Sequence, residues 1–234
     1  MEMFKRFEAN TQGRDLVIGD LHGCFHILAE ALTKIHFDPN RDRLFSVGDL
    51  MNRGPFSHHI LKWLDYPWFH TIRGNHEEIV HGAMLGRDDY GLKCGDWLAQ
   101  LDQADLYDLF NRLEQLPFAF EVGLRNGKKI GIVHADIMHT NWNQFLIDLG
   151  SSLVRSQLAD QCVWSRARIK LVRKLNYAIP VEGVQTVYLG HSVVDDIVVS
   201  GNVAFIDTGC VYGAHLTMVD INTGKHIKTA YHPA

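Results

Sequence analysis

Ile18-Gly19-Asp20-Leu21-His22-Gly23 decides how the rest of the chain is read. The run before it, Asp15-Leu16-Val17-Ile18-Gly19, has the length and apolar character of a buried strand. Asp20 and His22 alternate along the strand end, so both side chains can point to one side. Residues 24–35 follow with Phe25, Leu28, Leu32 and Ile35 at helical spacing, which predicts an amphipathic helix. Open α/β sheets build their sites just past the carboxyl ends of strands, where such a turn lies.

Moving outward, the unit repeats. Residues 43–47 read as a second strand and lead into Val47-Gly48-Asp49-Leu50-Met51-Asn52-Arg53-Gly54. Pro55 opens a second helix, with Ile60, Leu61 and Leu64 on its apolar side. Residues 68–72 are a third strand, followed by Arg73-Gly74-Asn75-His76-Glu77 and a helix over 77–85. Two late histidines sit at further strand ends, in Val133-His134-Ala135-Asp136 and Leu189-Gly190-His191-Ser192. Residues 86–116 predict a small helical insertion, and two β-rich runs around Asn126-Gly127 predict a hairpin. Residues 141–175 read as mixed helix and loop, and 186–189, 197–199, 203–206 and 216–220 as strands. The β-α alternation followed by a β-rich half predicts an α/β protein of one domain over residues 1–234. Two mixed sheets packed face to face with helices outside fit this order.

Composition narrows the function classes. The 234 residues are enough for a full core. A net charge of −4 gives no electrostatic case for a nucleic-acid surface. No apolar run suggests a membrane span, and residues 1–14 lack the apolar core of a signal peptide. Cys24, Cys94, Cys162 and Cys210 are scattered, which reads as small core residues in a reducing compartment, so the cytoplasm is the expected location. Nothing in the sequence sets an oligomeric state.

Asp20, His22, Asp49, Asn75, His134 and His191 offer carboxylates, an amide and imidazoles. Such mixed oxygen and nitrogen donors suit first-row divalent ions such as Mn, Fe or Zn. They are too many for one catalytic ion that keeps water positions, and they suit two ions about 3.5–4 Å apart that share a carboxylate. Asp49 is the bridging candidate, because the second strand should lie between the others. A bridging water between two such ions would act as hydroxide near neutral pH. Arg53, Arg73 and Arg166 are candidate phosphate ligands, since guanidinium matches phosphate oxygens bidentately. His76 is the candidate general acid for the leaving oxygen.

Taken together, Gly-Asp-Leu-His-Gly (19–23), Gly-Asp-Leu-Met-Asn-Arg-Gly (48–54), Arg-Gly-Asn-His-Glu (73–77), Val-His-Ala-Asp (133–136), Val-Trp-Ser-Arg (163–166) and Gly-His-Ser (190–192) resemble the PPP family of metallophosphatases, in its short bacterial and phage branch. Ile206-Asp207-Thr208-Gly209 resembles that branch's late strand and turn. The resemblance implies a four-layer sandwich of two mixed sheets flanked by helices. It implies one ion on Asp20, His22 and Asp49 and another on Asp49, Asn75, His134 and His191, both most often manganese. It implies hydrolysis of phosphoserine, phosphothreonine and often phosphotyrosine, on a phosphorylated protein or a small phosphoester.

One position departs from the pattern. Asn52 stands where the family has an aspartate that supports the motif-three histidine. An amide carries no charge to hold His76 as a cationic acid, so slow turnover is expected, least of all on good leaving groups. Two other functions compete: a nucleotide hydrolase, such as a symmetrical diadenosine tetraphosphatase or cyclic-nucleotide phosphodiesterase, and a phosphate-binding pseudo-phosphatase.

Overall fold

Alternation along β2 (Asp15–Ile18) divides its side chains between two apolar layers. Leu16 and Ile18 pack with α1 (Phe25–Lys34) on one side, and Val17 packs on the other against a second sheet. The computed structural model describes residues 2–87, 94–151 and 155–234. In it β3 (Arg43–Ser46) lies parallel between β2 and β4 (Phe69–Thr71). The five-stranded sheet is completed by β10 (His215–Asp220), antiparallel to β2, and β11 (His226–Ala230) at the edge.

The second sheet has six strands in the order β1-β5-β6-β7-β9-β8. These are β1 (Phe4–Phe7), β5 (Ala119–Gly123), β6 (Lys129–Val133), β7 (Val187–Leu189), β8 (Val198–Ser200) and β9 (Val203–Phe205). Both sheets mix parallel and antiparallel pairs. Val17, Phe45, Val47 and Ile72 meet Phe120, Val122, Ile130 and Ile132 in the layer between them. Helices cover the outer faces: α1, α2 (Ile60–Leu64), α3 (Asn75–Met84) and α4 (Gln103–Gln115) on the first sheet, and α5 (Trp142–Gly150), α6 (Arg155–Trp164) and α7 (Ala167–Leu175) on the second. The result is the α/β sandwich of two mixed sheets that the sequence predicts.

The differences are local. Two edge strands, β1 and β11, lie outside the expected set; each is short and mixes exposed with buried positions, so neither carries a long apolar signal. Pro55 precedes a 3-10 turn at Ser57–His59, and α2 begins only at Ile60. α3 begins at Asn75, so the third motif opens the helix and does not merely precede it. Residues 141–175 contain α5, α6 and α7. Of the expected helical stretch 86–116, residues 88–93 lie outside the described residues; the remainder holds a 3-10 turn at Asp96–Gln100 and α4. Among the described residues, no helix is long and apolar enough to cross a membrane.

The second sheet's β1 packs on the edge of the first through an aromatic cluster. Phe7 meets Phe45, Phe120 and the His70 ring, at centroid distances of 5.0, 5.1 and 4.7 Å. Burial, then the nearby Lys5 and Arg43 charges, push the His70 imidazole from 6.5 down to about 4. The folded state therefore binds a proton less readily than the unfolded chain. Stability should be full above pH 6.5 and fall as pH drops from 6.5 toward 4. Urea unfolding across that window should show a shallower decline for His70→Phe, which keeps the ring contacts and removes the proton site. An unchanged slope would refute it.

Candidate metal centre

Backbone conformation marks the site before any side chain does. Seven non-glycine residues have positive φ among the described residues, and five of them are His22, Asp49, Asn52, Arg53 and His191. Such backbone costs free energy and persists only where its surroundings hold it. Glu77, fully buried in the first turn of α3, does much of the holding. Its carboxylate accepts the backbone N–H of Asp49 and Leu50, each at 2.8 Å, and of Gly74 at 2.7 Å. The strand-end turn after β3 is thus clamped to the start of α3. Close approach demands glycine twice: a Cβ at Gly74 would lie 2.3 Å from Asp49 Oδ1, and one at Gly190 would lie 2.1 Å from Asp20 Oδ1.

The clamp yields a stability prediction. Glu77→Gln leaves one amide oxygen to serve donors that two carboxylate oxygens now satisfy. One buried N–H should go unpaired, at a cost of about 1–3 kcal/mol. The urea midpoint should fall at unchanged m-value; no shift would mean the turn holds itself.

Six candidate ligands converge past the strand ends. Asp20 and His22 follow β2, Asp49 follows β3, Asn75 opens α3, and His134 and His191 follow β6 and β7. All six are buried. His134 Nδ1–H donates to the Val47 carbonyl at 2.8 Å, leaving Nε2 as a bare lone pair. That lone pair faces Asn75 Oδ1 at 3.0 Å and Asp49 Oδ1 at 3.4 Å. His22 Nδ1–H likewise donates to the Met51 carbonyl at 3.2 Å. Its Nε2 lies 3.5 Å from Asp49 Oδ2 and 3.9 Å from Asp20 Oδ2, and accepts from Arg53 Nη1 at 2.5 Å. His191 Nδ1 is 2.8 Å from Asn75 Oδ1, and its backbone N–H donates to both Asp20 oxygens, at 3.2 and 3.1 Å.

Lone pairs aimed at one another in a buried space repel unless a cation lies among them. The titration behaviour agrees. Burial pushes Asp49 up to about 7 and, joined by the neighbouring carboxylates Asp207 and Asp49, lifts Asp20 well above the usual range. Burial holds His134 down at about 3. The donor set fits one or two divalent cations. Among the described residues, Asp49 belongs to both close groups of potential ligands, with His22 and His76 in one and His134 and His191 in the other. Its strand lies between β2 and β4.

Arg53 and Arg166 line the same cavity, of about 420 Å³, beside His22, Asp49, Asn75 and His191. Arg73 does not line it. Its guanidinium is buried, paired with Glu78 at 2.5 Å and donating to the Leu113 carbonyl, so it braces α3 against α4. Arg166 owes its place to Asp136, which accepts from Ser165 Oγ at 3.1 Å and from the Arg168 backbone N–H and Nε at 2.9 and 3.1 Å.

His76 faces an adjoining cavity lined by Ile79 and Trp164. Asn52 Nδ2 meets its Nδ1 at 3.0 Å, while Asn52 Oδ1 accepts from Trp97 Nε1–H at 2.6 Å. An indole only donates, so it fixes which end of the amide faces His76. His76 Nδ1 must accept, leaving a neutral ring with its proton on Nε2. Burial, then the Arg53 charge, also hold His76 down at about 3.

Sequence reading misses Glu77, Trp97, Asp136 and Asp207 as parts of the site. Asp207 is buried on the cavity wall, where burial raises it to about 6. Glu77, Asp136 and Asp207 were present in quoted motifs, and their carboxylates were the available signal. Trp97 had none.

Similarity to known proteins agrees with this geometry. The profile of the calcineurin-like phosphoesterase family matches residues 14–206. Serine/threonine-protein phosphatase 1 of Salmonella typhimurium is 33% identical over 226 residues, covering 94% of this chain and 97% of that one. A symmetrical bis(5'-nucleosyl)-tetraphosphatase of Pseudomonas fluorescens is 26% identical, with 89% and 91% covered. A crystal structure provisionally assigned as a diadenosine tetraphosphatase superposes with a TM-score of 0.71 at 21% identity, covering 98% and 99%; this likeness is one of fold. With its buried lone-pair cluster at the ends of the strands and a family profile over most of its length, the chain belongs to the calcineurin-like phosphoesterases, and is a metallophosphatase.

Proposed function

We propose that this chain is a protein phosphatase that hydrolyses phosphomonoesters of serine and threonine, and also tyrosine, with two manganese ions. The observation that carries the reading is one cavity lined by the guanidinium groups of Arg53, Arg166 and Arg173 next to a convergent set of candidate cation ligands. Asp20, His22 and Asp49 would hold one ion, and Asp49, Asn75, His134 and His191 the other. Bound there, the ions supply Lewis-acid charge and lower the pKa of a coordinated water.

The chain's own residues do the rest. Arg53 and Arg166 take phosphate oxygens and set the ester in line, as a terminal dianionic phosphate requires. Arg73 joins them only if it releases Glu78. His76 offers its Nε2–H to the leaving oxygen as a neutral hydrogen-bond donor. The Val47 and Met51 carbonyls keep His134 and His22 in the tautomer that presents Nε2. Kinship with a serine/threonine-protein phosphatase over nearly the whole chain supports a phosphoprotein substrate. Four buried cysteines, none in a disulfide, fit a reducing compartment, and the cytoplasm is the proposed place of action.

The test is phosphate release with manganese, zinc or iron from a phosphoserine peptide, a phosphotyrosine peptide, an aryl phosphate and diadenosine tetraphosphate. Manganese-dependent release from the peptides supports the reading. Turnover of diadenosine tetraphosphate alone would replace it with a nucleotide hydrolase. Tight peptide binding without release would make the chain a pseudo-phosphatase.

A further inference from the structure

The helix α7 carries a charge pattern of which the chemistry above uses only Arg166. Arg166, at its N-terminal boundary, is followed by Lys170 and Arg173. These positions are four and then three residues apart, so they share one helical face. All three are exposed, whereas Ile169 and Val172 turn into the core. Arg168 is spent internally on Asp136. Among the described residues, no carboxylate lies within ion-pair distance of Arg166, Lys170 or Arg173, and the helix contains no acidic residue.

This face is not merely a solvated surface, because it runs into the cavity. Arg173 lines the cavity together with Arg53 and Arg166. Its Nη2 donates to the Val193 carbonyl at 2.8 Å, which pins the guanidinium beside the loop that follows His191. Arg166 leans on the His191 carbonyl of the same loop at 3.5 Å. Two anchored cations thus flank one opening, in a molecule whose net charge is −4. An acidic segment would be drawn to this face, whose cations have no paired carboxylate among the described residues.

We propose that the Arg166–Lys170–Arg173 face docks an acidic segment adjoining the phosphorylated residue of a protein substrate. The proposal rests on the phosphoprotein reading above and adds the class of sequence preferred. Two helical turns separate Arg166 from Arg173, roughly 10 Å along the axis. An extended peptide advances about 3.3 Å per residue, so a carboxylate about three residues from the phosphoresidue reaches Arg173 while the phosphate meets Arg166.

The experiment compares two phosphoserine peptides that differ only in Glu-Glu or Gln-Gln at the second and third positions from the phosphoserine, on either side. The quantity read is the ratio of their kcat/KM values with manganese. The native chain should favour the acidic peptide about tenfold, since exposed ion pairs contribute modestly. The preference should shrink toward unity in about 0.5 M salt, where screening acts within a few ångströms. The ratio should fall to about one in the variant K170Q/R173Q and below one in K170E/R173E. A native ratio near one, or a ratio unchanged in both variants, overturns the docking face while leaving phosphoprotein hydrolysis intact. If neither peptide is hydrolysed and diadenosine tetraphosphate is, the docking face and the phosphoprotein reading fail together.

Discussion

Replacing Asn52 by aspartate should raise turnover of a phosphoserine peptide by about 10²-fold, the lower end of what general-acid assistance contributes. Turnover of an aryl phosphate should change by less than about threefold, because an aryl oxide departs without a proton. The reason lies in one hydrogen-bond chain. Trp97 Nε1–H donates to Asn52 Oδ1, so the amide must turn its own N–H toward His76 Nδ1. That N–H prevents His76 from being protonated on both nitrogens, and a neutral imidazole is a poor acid. In Asn52→Asp one oxygen still accepts from Trp97, and the other accepts an Nδ1–H from His76. The imidazolium then gains a charged partner and an acidic Nε2–H. Backbone geometry permits the change: residue 52 has φ of +71°, a region that Asn and Asp both enter. Trp97→Phe is the companion variant. Without the indole the amide can rotate and offer its oxygen to His76, so a smaller gain on the phosphoserine peptide is expected. Equal gains on both substrates, or none on either, would show that His76 is not the acid.

The second large effect concerns Asp49, the residue shared by both close ligand groups. Asp49→Asn should lower manganese-dependent hydrolysis by about 10³-fold, as loss of several kcal/mol of metal-derived charge stabilisation implies. The same change should spare the metal-free fold. Asp49 Oδ1 accepts the His76 backbone N–H at 2.9 Å, and an asparagine oxygen can keep that bond. The substitution also removes a buried acid that burial has already pushed up to about 7. Thermal melts separate the two effects. Manganese that binds the native chain at about 100 times its Kd adds roughly 2.7 kcal/mol of stability. That manganese-induced rise in Tm should vanish in Asp49→Asn while the metal-free Tm stays level or increases. A retained rise would place the ions elsewhere.

How far the sequence reaches differs from residue to residue. β2 and α1 were legible because each carries a complete apolar period, two for the strand and 3.6 for the helix. β1 and β11 were not, because a short edge strand with exposed positions shows only part of a pattern, and β1 also pairs with a partner remote in the chain, β5. The convergence of Asp20, His22, Asp49, Asn75, His134 and His191 was legible because side chains able to bind a metal are few in kind and these follow strand ends. Arg73 shows the limit of the same logic. Its type and place beside the third motif suggest phosphate, yet its partners are Glu78 and the Leu113 carbonyl, the latter on a helix 40 residues away.

From the sequence alone come the layered α/β class, the six candidate ligands, the three candidate phosphate arginines and the odd asparagine, since each is a matter of residue type and local period. The tertiary structure alone decides what those groups can do. It sets the tautomers of His22 and His134 through carbonyls on a neighbouring turn, clamps the strained Asp49 turn onto Glu77, and pins Arg173 beside the cavity. It also brings Trp97 against Asn52 across 45 positions of sequence. Hydrogen-bond direction depends on which donor meets which acceptor in space, and no local period records that.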